Sequence, residues 1–440
     1  MRLPRNFGAR LALAVLAGLI VRLLYVALFA RKIALFGDAV TYHEWARTIA
    51  AGTGWVKVPH PELGLFHVRP EPSAEHPPLF SLVLAGFWKL GVHTYTAQKL
   101  VVCFVGASTV AFAGLAGREA GGERVGLIAA GLAAIYPFLW VADGTLLAES
   151  LYAAFMAAAL WLALRFLRTR SAADAGWLGL VVGLGALSRG EALLLVPLLL
   201  LPLAWRARSW TAAAAMLVAF ALVVAPWTAR NFAKFDDPVL ISTNSSSVFA
   251  GANCDRVYHG DLIGLWSFSC YGPVKPGDES QEALEYRRQG LDYAREHAGR
   301  VPLIATIRLA RVWDVYRPLQ QVQYEFLEGR SRWASRAGLV LYYPTLLLAI
   351  GGAFVLRRRR FPVWPFLAFA AAVSIVAVTV YGITRFRIAA EPALIVLAAV
   401  SIDFALRRRS ERGSGQGEEG ERNARHLPVP VQTGVNQEGR

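Results

Sequence analysis

Cysteine, methionine and lysine are scarce in this 440-residue chain: three Cys, three Met, and six Lys against 40 Arg. So few cysteines exclude a disulfide-built scaffold, and the absence of CxxC excludes the common zinc-ribbon and dithiol redox sites. There is no GxxxxGK[ST] for a nucleotide phosphate, no HExxH for zinc and no GxSxG for a nucleophilic serine. No internal repeat is visible, although many transporters are built from repeated halves. Charge is also sparse. Only 18% of residues are Asp, Glu, Lys or Arg, and 55% are hydrophobic. A soluble chain of this length carries more charge and fewer long apolar runs.

What fills the space is apolar sequence. Runs near the ~20 residues that cross a bilayer fall at about 10–30, 95–117, 125–141, 148–166, 173–188, 191–205, 210–226, 337–356, 361–381 and 388–406. The expected fold is therefore all-α and polytopic, with about ten transmembrane helices in one bundle domain over 1–406. The first run follows a basic start but is too long for a signal peptide and lacks a clear small-residue cleavage motif, so it reads as a retained helix. Residues 407–440, rich in Gly, Glu, Arg and Gln, read as a disordered cytoplasmic tail.

The net charge of +15 raises nucleic-acid binding as a hypothesis. Its distribution argues against it, because the arginines sit at helix ends and form no stripe on a soluble face. They do fix a topology. The segment Pro77–Val92, PPLFSLVLAGFWKLGV, is short for a span and contains Lys89. If it lies in the interface, Arg2, Arg5, Arg10, Arg118, Arg124, Arg165, Arg168, Arg170, Arg206, Arg208, Arg357 to Arg360 and Arg407 to Arg409 collect on one side. The positive-inside rule makes that side cytoplasmic, with both termini on it. Arg over Lys with abundant Ala, Gly and Leu fits a GC-rich bacterial genome, hence a bacterial plasma membrane.

Two long loops then lie outside, at 31–94 and 227–336. Cys254 and Cys270 share the second, where thiols can oxidise, and a disulfide between them is expected. Cys103 lies in an apolar helix and reads as packing. In the second loop, VPLIATIRLARVWDVYRP carries charges on most turns and is expected along the membrane surface.

Ionisable groups gather on the same outer side. FGDAVTYHEWAR follows the first helix, and Asp38 and Tyr42 share a helix face if the helix begins there. Asp38 has two readings, an N-cap or a general base. Glu75 and His76 precede a rigid Pro-Pro and read either as a polar stop or as acid–base and cation-binding groups. Asp143 and Glu149 flank another exit, and Ser188–Arg189–Gly190–Glu191 forms a turn. PWTARN opens the second loop, and YGITRFR forms the last outer turn. Arginines gathered in this way suit a phosphate. Since a nucleotide donor is confined to the cytoplasm, a donor outside must be carried by lipid.

These stretches together resemble the GT-C glycosyltransferases that use polyprenyl-phosphate sugars. The closest branch is that of bacterial relatives of protein O-mannosyltransferases, lipid A aminoarabinose transferases and Rgt-type galacturonosyltransferases. GDAVTYHEWARTIAAG, EHPPLFSLVLAGFWKLG, YPFLWVADGTLLAES, GLGALSRGEALLLVP, PWTARNFAKFDDPVLISTNSSSVFAGAN and YGITRFRIAAEPALIVLAA fall in family order. The resemblance implies interfacial helices in the first outer loop. It implies catalytic Asp38 with Tyr42 beside it, and Glu75 as an acid that in some members helps hold a divalent metal. It departs from the lipid A enzymes at His76, where they have Lys, and at Thr41, where they have a basic residue, which puts a lipid A substrate in doubt. The implied partners are a polyprenyl-phosphate sugar in the membrane and a glycan, lipid or protein hydroxyl acceptor, with no nucleotide cofactor and no nucleic acid. Direct displacement at the anomeric carbon would invert it. Tyr42, Lys57, Arg69, His76, Arg189, Arg230, Arg385 and Arg387 are the candidates for binding the substrate. The competing readings are a transporter and a non-catalytic envelope assembly protein. The enzyme reading requires Asp38, Glu75 and the outer arginines to line one cavity.

Overall fold

The computed structural model describes residues 6–34, 36–59, 69–274 and 277–425, without the side chains of 412–425. Among them there is no β-strand, only one isolated bridge between Val56 and Pro72. The helices are α1 Phe7–Leu28, α2 Asp38–Ala50, α3 Leu79–Lys89, α4 Tyr95–Gly121, α5 Glu123–Ile135 and the short α6 Pro137–Trp140. Next come α7 Glu149–Thr169, α8 Ala172–Ser188, α9 Leu201–Ala207 and α10 Trp210–Lys234. Between the two halves of the bundle lie α11 Asn244–Ala252, α12 Asp255–Tyr258, α13 Glu279–Glu296, α14 Val301–Val312 and α15 Pro318–Leu327. The chain closes with α16 Arg332–Arg358, α17 Trp364–Thr379 and α18 Glu391–Arg425.

Among the described residues, six helices are long and apolar enough to cross a membrane, or seven if α5 and the Pro137–Gly144 segment, bent by 59°, form one span. The break follows from Pro137, which starts a new helix where α5 stops. The ten expected spans took in three further apolar segments: α8 with 17 residues, α17 with 16, and the beginning of α18. The first two are cut short where the chain turns into polar sequence, at Arg189 and before Thr384. Those interruptions build the site described below. α3 has 11 residues, about 16 Å of helix against a hydrocarbon core of ~30 Å, so it is too short to cross.

One large core joins Phe7 and Leu11 of α1 to α4, α5, α7, α8 and α16 to α18. Alanine and glycine dominate where these helices meet, which lets backbones approach closely. A Cβ at Gly352 would come 1.9 Å from the carbonyl oxygen of Leu397, and one at Gly179 1.9 Å from that of Met216. Arginines cluster at one end of the bundle and pair there with neighbouring helices: Arg118 with Glu123, Arg124 with Asp403, Arg165 with Asp174, and Arg168 with Glu119. At the other end lie Asp38, Glu75 and Glu149. Cys254 and Cys270 are bonded, with their Cα atoms 5.6 Å apart.

α14 departs from a surface-laid helix. Arg308 and Arg311 are buried, and their guanidinium groups donate to the carbonyls of Ala252, Val378, Ile263 and Asp261. It packs against α17 and carries the second loop on its back. α18 continues to Arg425, into the stretch expected to be a tail, and 426–440 lie outside the described residues.

Candidate functional site

Asp38 is the first residue of α2 and not its cap. Gly37 occupies the cap position with φ +53°, a left-handed conformation that glycine reaches without strain, and no side chain caps the helix. The carboxylate is free to reach outward. Its Oδ2 accepts from Arg385 Nη2 at 2.8 Å, and its Oδ1 lies 3.6 Å from His76 Nε2. The helix therefore starts under an acid that serves a distant residue.

Arg385 is a hub. Besides Asp38, its Nε donates to Glu149 at 2.5 Å and its Nη1 donates to Glu328. These three carboxylates come from the starts of α2 and α7 and from the end of α15. Arg189 joins them, with Nη1 on Glu149 at 2.6 Å and Nη2 on Glu191 at 2.7 Å. Its guanidinium also lies 5.6 Å from the Phe386 ring. Two guanidinium groups thus face four carboxylates. Glu149 is fully buried, whereas Asp38 and Glu328 keep 32% and 27% of their side chains exposed, so one side of the cluster is open.

The second acid enters from a clamped strip of the first loop. The Ala74 N–H donates to Glu279 at 2.8 Å, and its carbonyl accepts from Thr243 N–H at 3.0 Å. The Glu75 carbonyl accepts from Asn244 N–H, and Arg230 donates to the carbonyls of Ser73 and Trp55. These bonds hold Glu75 and His76 facing Asp38, with His76 Nε2 3.9 Å from Glu75 Oε1. The Tyr42 ring lies 5.0 Å from that of His76.

The environments push the two acids apart. Burial alone would raise Asp38, but attraction to His76, Arg385 and Arg189 outweighs it and holds the carboxyl well below the usual range. Although 46% of the Glu75 side chain is exposed, partial burial and repulsion from Glu279 and Asp38 raise it to about 8, with only partial relief from Lys57. One acid is ionised throughout the physiological range and the other titrates inside it.

The candidates divide accordingly. Asp38, Tyr42, Glu75, His76, Arg189 and Arg385 come together. Lys57 and Arg230 sit at the rim and tie the loops, Lys57 Nζ lying 3.2 Å from Glu71 and 3.7 Å from Glu282. Arg387 is elsewhere. It is fully buried, donating to Asp314 at 2.6 Å and to Glu391 at 2.7 Å, with its guanidinium 3.6 Å from the Tyr342 ring. Arg69 is exposed at the edge of 60–68 and adds no ion pair to the cluster among the described residues. Glu328 was not foreseen. Its only sequence signal is an acid before Gly329, which turns the chain with φ +83° at the end of α15.

A metal was implied at Glu75. Among the described residues, no three of His, Cys, Asp and Glu are grouped to hold one, and both oxygens of Asp38 already face cationic side chains or His76. These residues do not fit an ion. A cavity of about 550 Å³ lined by Phe7, Arg10, Glu123, Arg124, Leu127, Ile128 and Leu406 lies at the opposite, Arg-rich end and touches none of these acids.

Residues 75–229 match the family model described as dolichyl-phosphate-mannose-protein mannosyltransferase. No curated protein matches the sequence. The fold is similar to that of archaeal oligosaccharyltransferase AglB from Archaeoglobus fulgidus in complex with an inhibitory peptide and a dolichol-phosphate. The TM-score is 0.53 at 14% identity, covering 97% of this chain and 52% of that one. The Archaeoglobus fulgidus oligosaccharyltransferase complex with Zn and sulfate also matches, with a TM-score of 0.53 at 15% identity over 92% of this chain and 50% of that one. ArnT from Cupriavidus metallidurans bound to undecaprenyl phosphate gives 0.41 at 17% identity, over 89% and 77%. The chain spans about half the length of the oligosaccharyltransferases. The family model covers 155 of the 440 residues, and the oligosaccharyltransferases share the fold.

Proposed function

We propose that the protein is a membrane glycosyltransferase that moves a sugar from a polyprenyl-phosphate donor to a hydroxyl acceptor, at the outer face of a bacterial plasma membrane with both termini cytoplasmic. The observation that carries this reading is the Arg385 hub, open on one side, with Asp38 and Glu75 facing each other across His76. Two arginines within reach of an open face can take a lipid phosphate. The isoprenoid tail would stay in the bilayer, and the sugar would stand beside Asp38.

The chemistry follows from the charges. The acceptor oxygen attacks the anomeric carbon as the bond from that carbon to the phosphate oxygen breaks. The polyprenyl phosphate leaves with the electron pair, and Arg385 and Arg189 stabilise its growing charge. Attack opposite the leaving group inverts the centre. Asp38 takes the acceptor's proton. Arg385 makes Asp38 a weak base, but the hydroxyl becomes strongly acidic as its oxygen bonds to carbon, so late transfer to a weak base suffices. Glu75, neutral below about 8, donates a hydrogen bond at the same face. Arg230 and Lys57 hold the loops that present these groups.

The test is to incubate purified full-length protein with a panel of radiolabelled polyprenyl-phosphate sugars and candidate acceptors, scoring release of polyprenyl phosphate. Release with at least one donor is expected. Release from none, with undecaprenyl phosphate failing to bind, contradicts the reading.

A further inference from the structure

We propose that the second loop and the last turn of the bundle build an aromatic subsite for a pyranose ring beside Asp38, with Trp266 and Tyr381 as its floor and Tyr271 as its wall. It rests on the glycosyltransferase reading above and adds where the sugar ring lies. Trp266 is half-buried, with ring centroids 6.0 Å from Tyr271 and 6.4 Å from Tyr381. Phe268 lies 4.3 Å from Trp266 and is 55% exposed. Tyr286 of α13 braces Tyr271 from behind at 4.7 Å.

The platform is fixed by backbone and joined to the acids. The Gly382 N–H donates to the Gly264 carbonyl at 2.9 Å, so the two segments bearing Tyr381 and Trp266 are tied next to those rings. Gly251 allows the indole to lie on α11, since a Cβ there would come 1.9 Å from its Nε1. Tyr381 in turn packs on Phe386 at 4.8 Å, beneath Arg189 and next in sequence to Arg385. Burial raises the Tyr271 phenol, a hydrogen bond with Trp266 lowers it, and the charges of Glu75 and Asp38 raise it.

A plain loop core does not account for these rings. The loop's own core is built from Val257, Tyr258, Ile263 and Ile304 with the Cys254–Cys270 bridge. Trp266, Phe268 and Tyr271 stay outside that core and outside the other four hydrophobic clusters. A sugar offers an apolar C–H face and a polar rim. Aromatic planes suit the first, and carboxylates and phenols the second.

Saturation-transfer NMR on the detergent-solubilised full chain tests this, using methyl glycosides of glucose, galactose and mannose as probes. Transfer to at least one probe is expected. It should fall at least about fivefold in Trp266→Leu, the scale of one lost aromatic contact, and persist in Trp266→Phe. Competition with undecaprenyl-phosphate hexoses then identifies the source. Displacement by these lipids but not by bare undecaprenyl phosphate assigns the subsite to the donor sugar, and no displacement assigns it to an acceptor sugar. No transfer to the parent protein, unchanged transfer in Trp266→Leu, or equal loss in both variants overturns the subsite. Binding of radiolabelled undecaprenyl phosphate is measured alongside. Its failure in the parent protein would count against the enzyme reading instead.

Discussion

Arg385 and Arg387 lie two residues apart in one short helical turn, Thr384–Ala389, and have opposite surroundings. A 3₁₀ turn advances about 120° per residue, so residues two apart point to different faces. Arg387 faces inward. Two acids, the Val312 carbonyl and the Tyr342 ring surround it, and no side chain in the group is more than 1% exposed among Arg387, Asp314 and Glu391. Arg385 faces three acids from three elements, two of which stay partly exposed. A closed pair fixes one packing of α14, α16 and α18. An open cluster can exchange a carboxylate for a ligand phosphate. On the proposed reading, similar charges serve structure at one position and chemistry at the other, and exposure of the partners marks which is which.

The largest effect expected of that difference is on stability. Arg387→Leu leaves Asp314 and Glu391 buried without a counter-charge and should cost ~3–5 kcal/mol, read as a large drop in melting temperature of the solubilised protein. Adding Asp314→Asn and Glu391→Gln should recover much of the loss. A small shift in the single variant would dissolve the distinction between the two arginines. Next comes Asp38→Asn. It removes no helix cap and leaves Arg385 with two acids, so melting should match the parent while transfer falls at least ~100-fold.

Glu75→Gln should act through pH. With a folded value of about 8 against 4.5 for the ordinary group, the folded protein holds the extra proton. The stability associated with that proton is fully present below about 4.5 and is lost as pH rises through about 8. Parent activity should fall about tenfold by one pH unit above that value as neutral Glu75 disappears, and Glu75→Gln should lack this limb. A parent profile flat from pH 7 to 9 would remove Glu75 from the reaction. The smallest effect is expected at Lys57, whose partly exposed pairs only bridge loops. Lys57→Met should change stability by less than about 1 kcal/mol in chemical denaturation.

Much of the site was legible because polytopic chains keep charge out of helix interiors. An acid at the first exit, a Glu-His before Pro-Pro and arginines in short turns stood out against apolar sequence. The same filter could not separate Arg385 from Arg387, since the face each residue takes depends on the turn between α17 and α18. Glu328 was hidden because the second loop carries many acids, and an acid before a glycine is too weak a signal to set one apart. The bend at Pro137 was read as one continuous span, because hydropathy averages over the interruption.

The most direct measurement of the central claim is a cryo-electron microscopy map of the full-length protein with undecaprenyl phosphate. The phosphate is expected within hydrogen-bonding distance of Arg385 or Arg189, on the open side between Asp38 and Glu328. Density for the phosphate at the opposite end, in the cavity lined by Arg10 and Arg124, would contradict it.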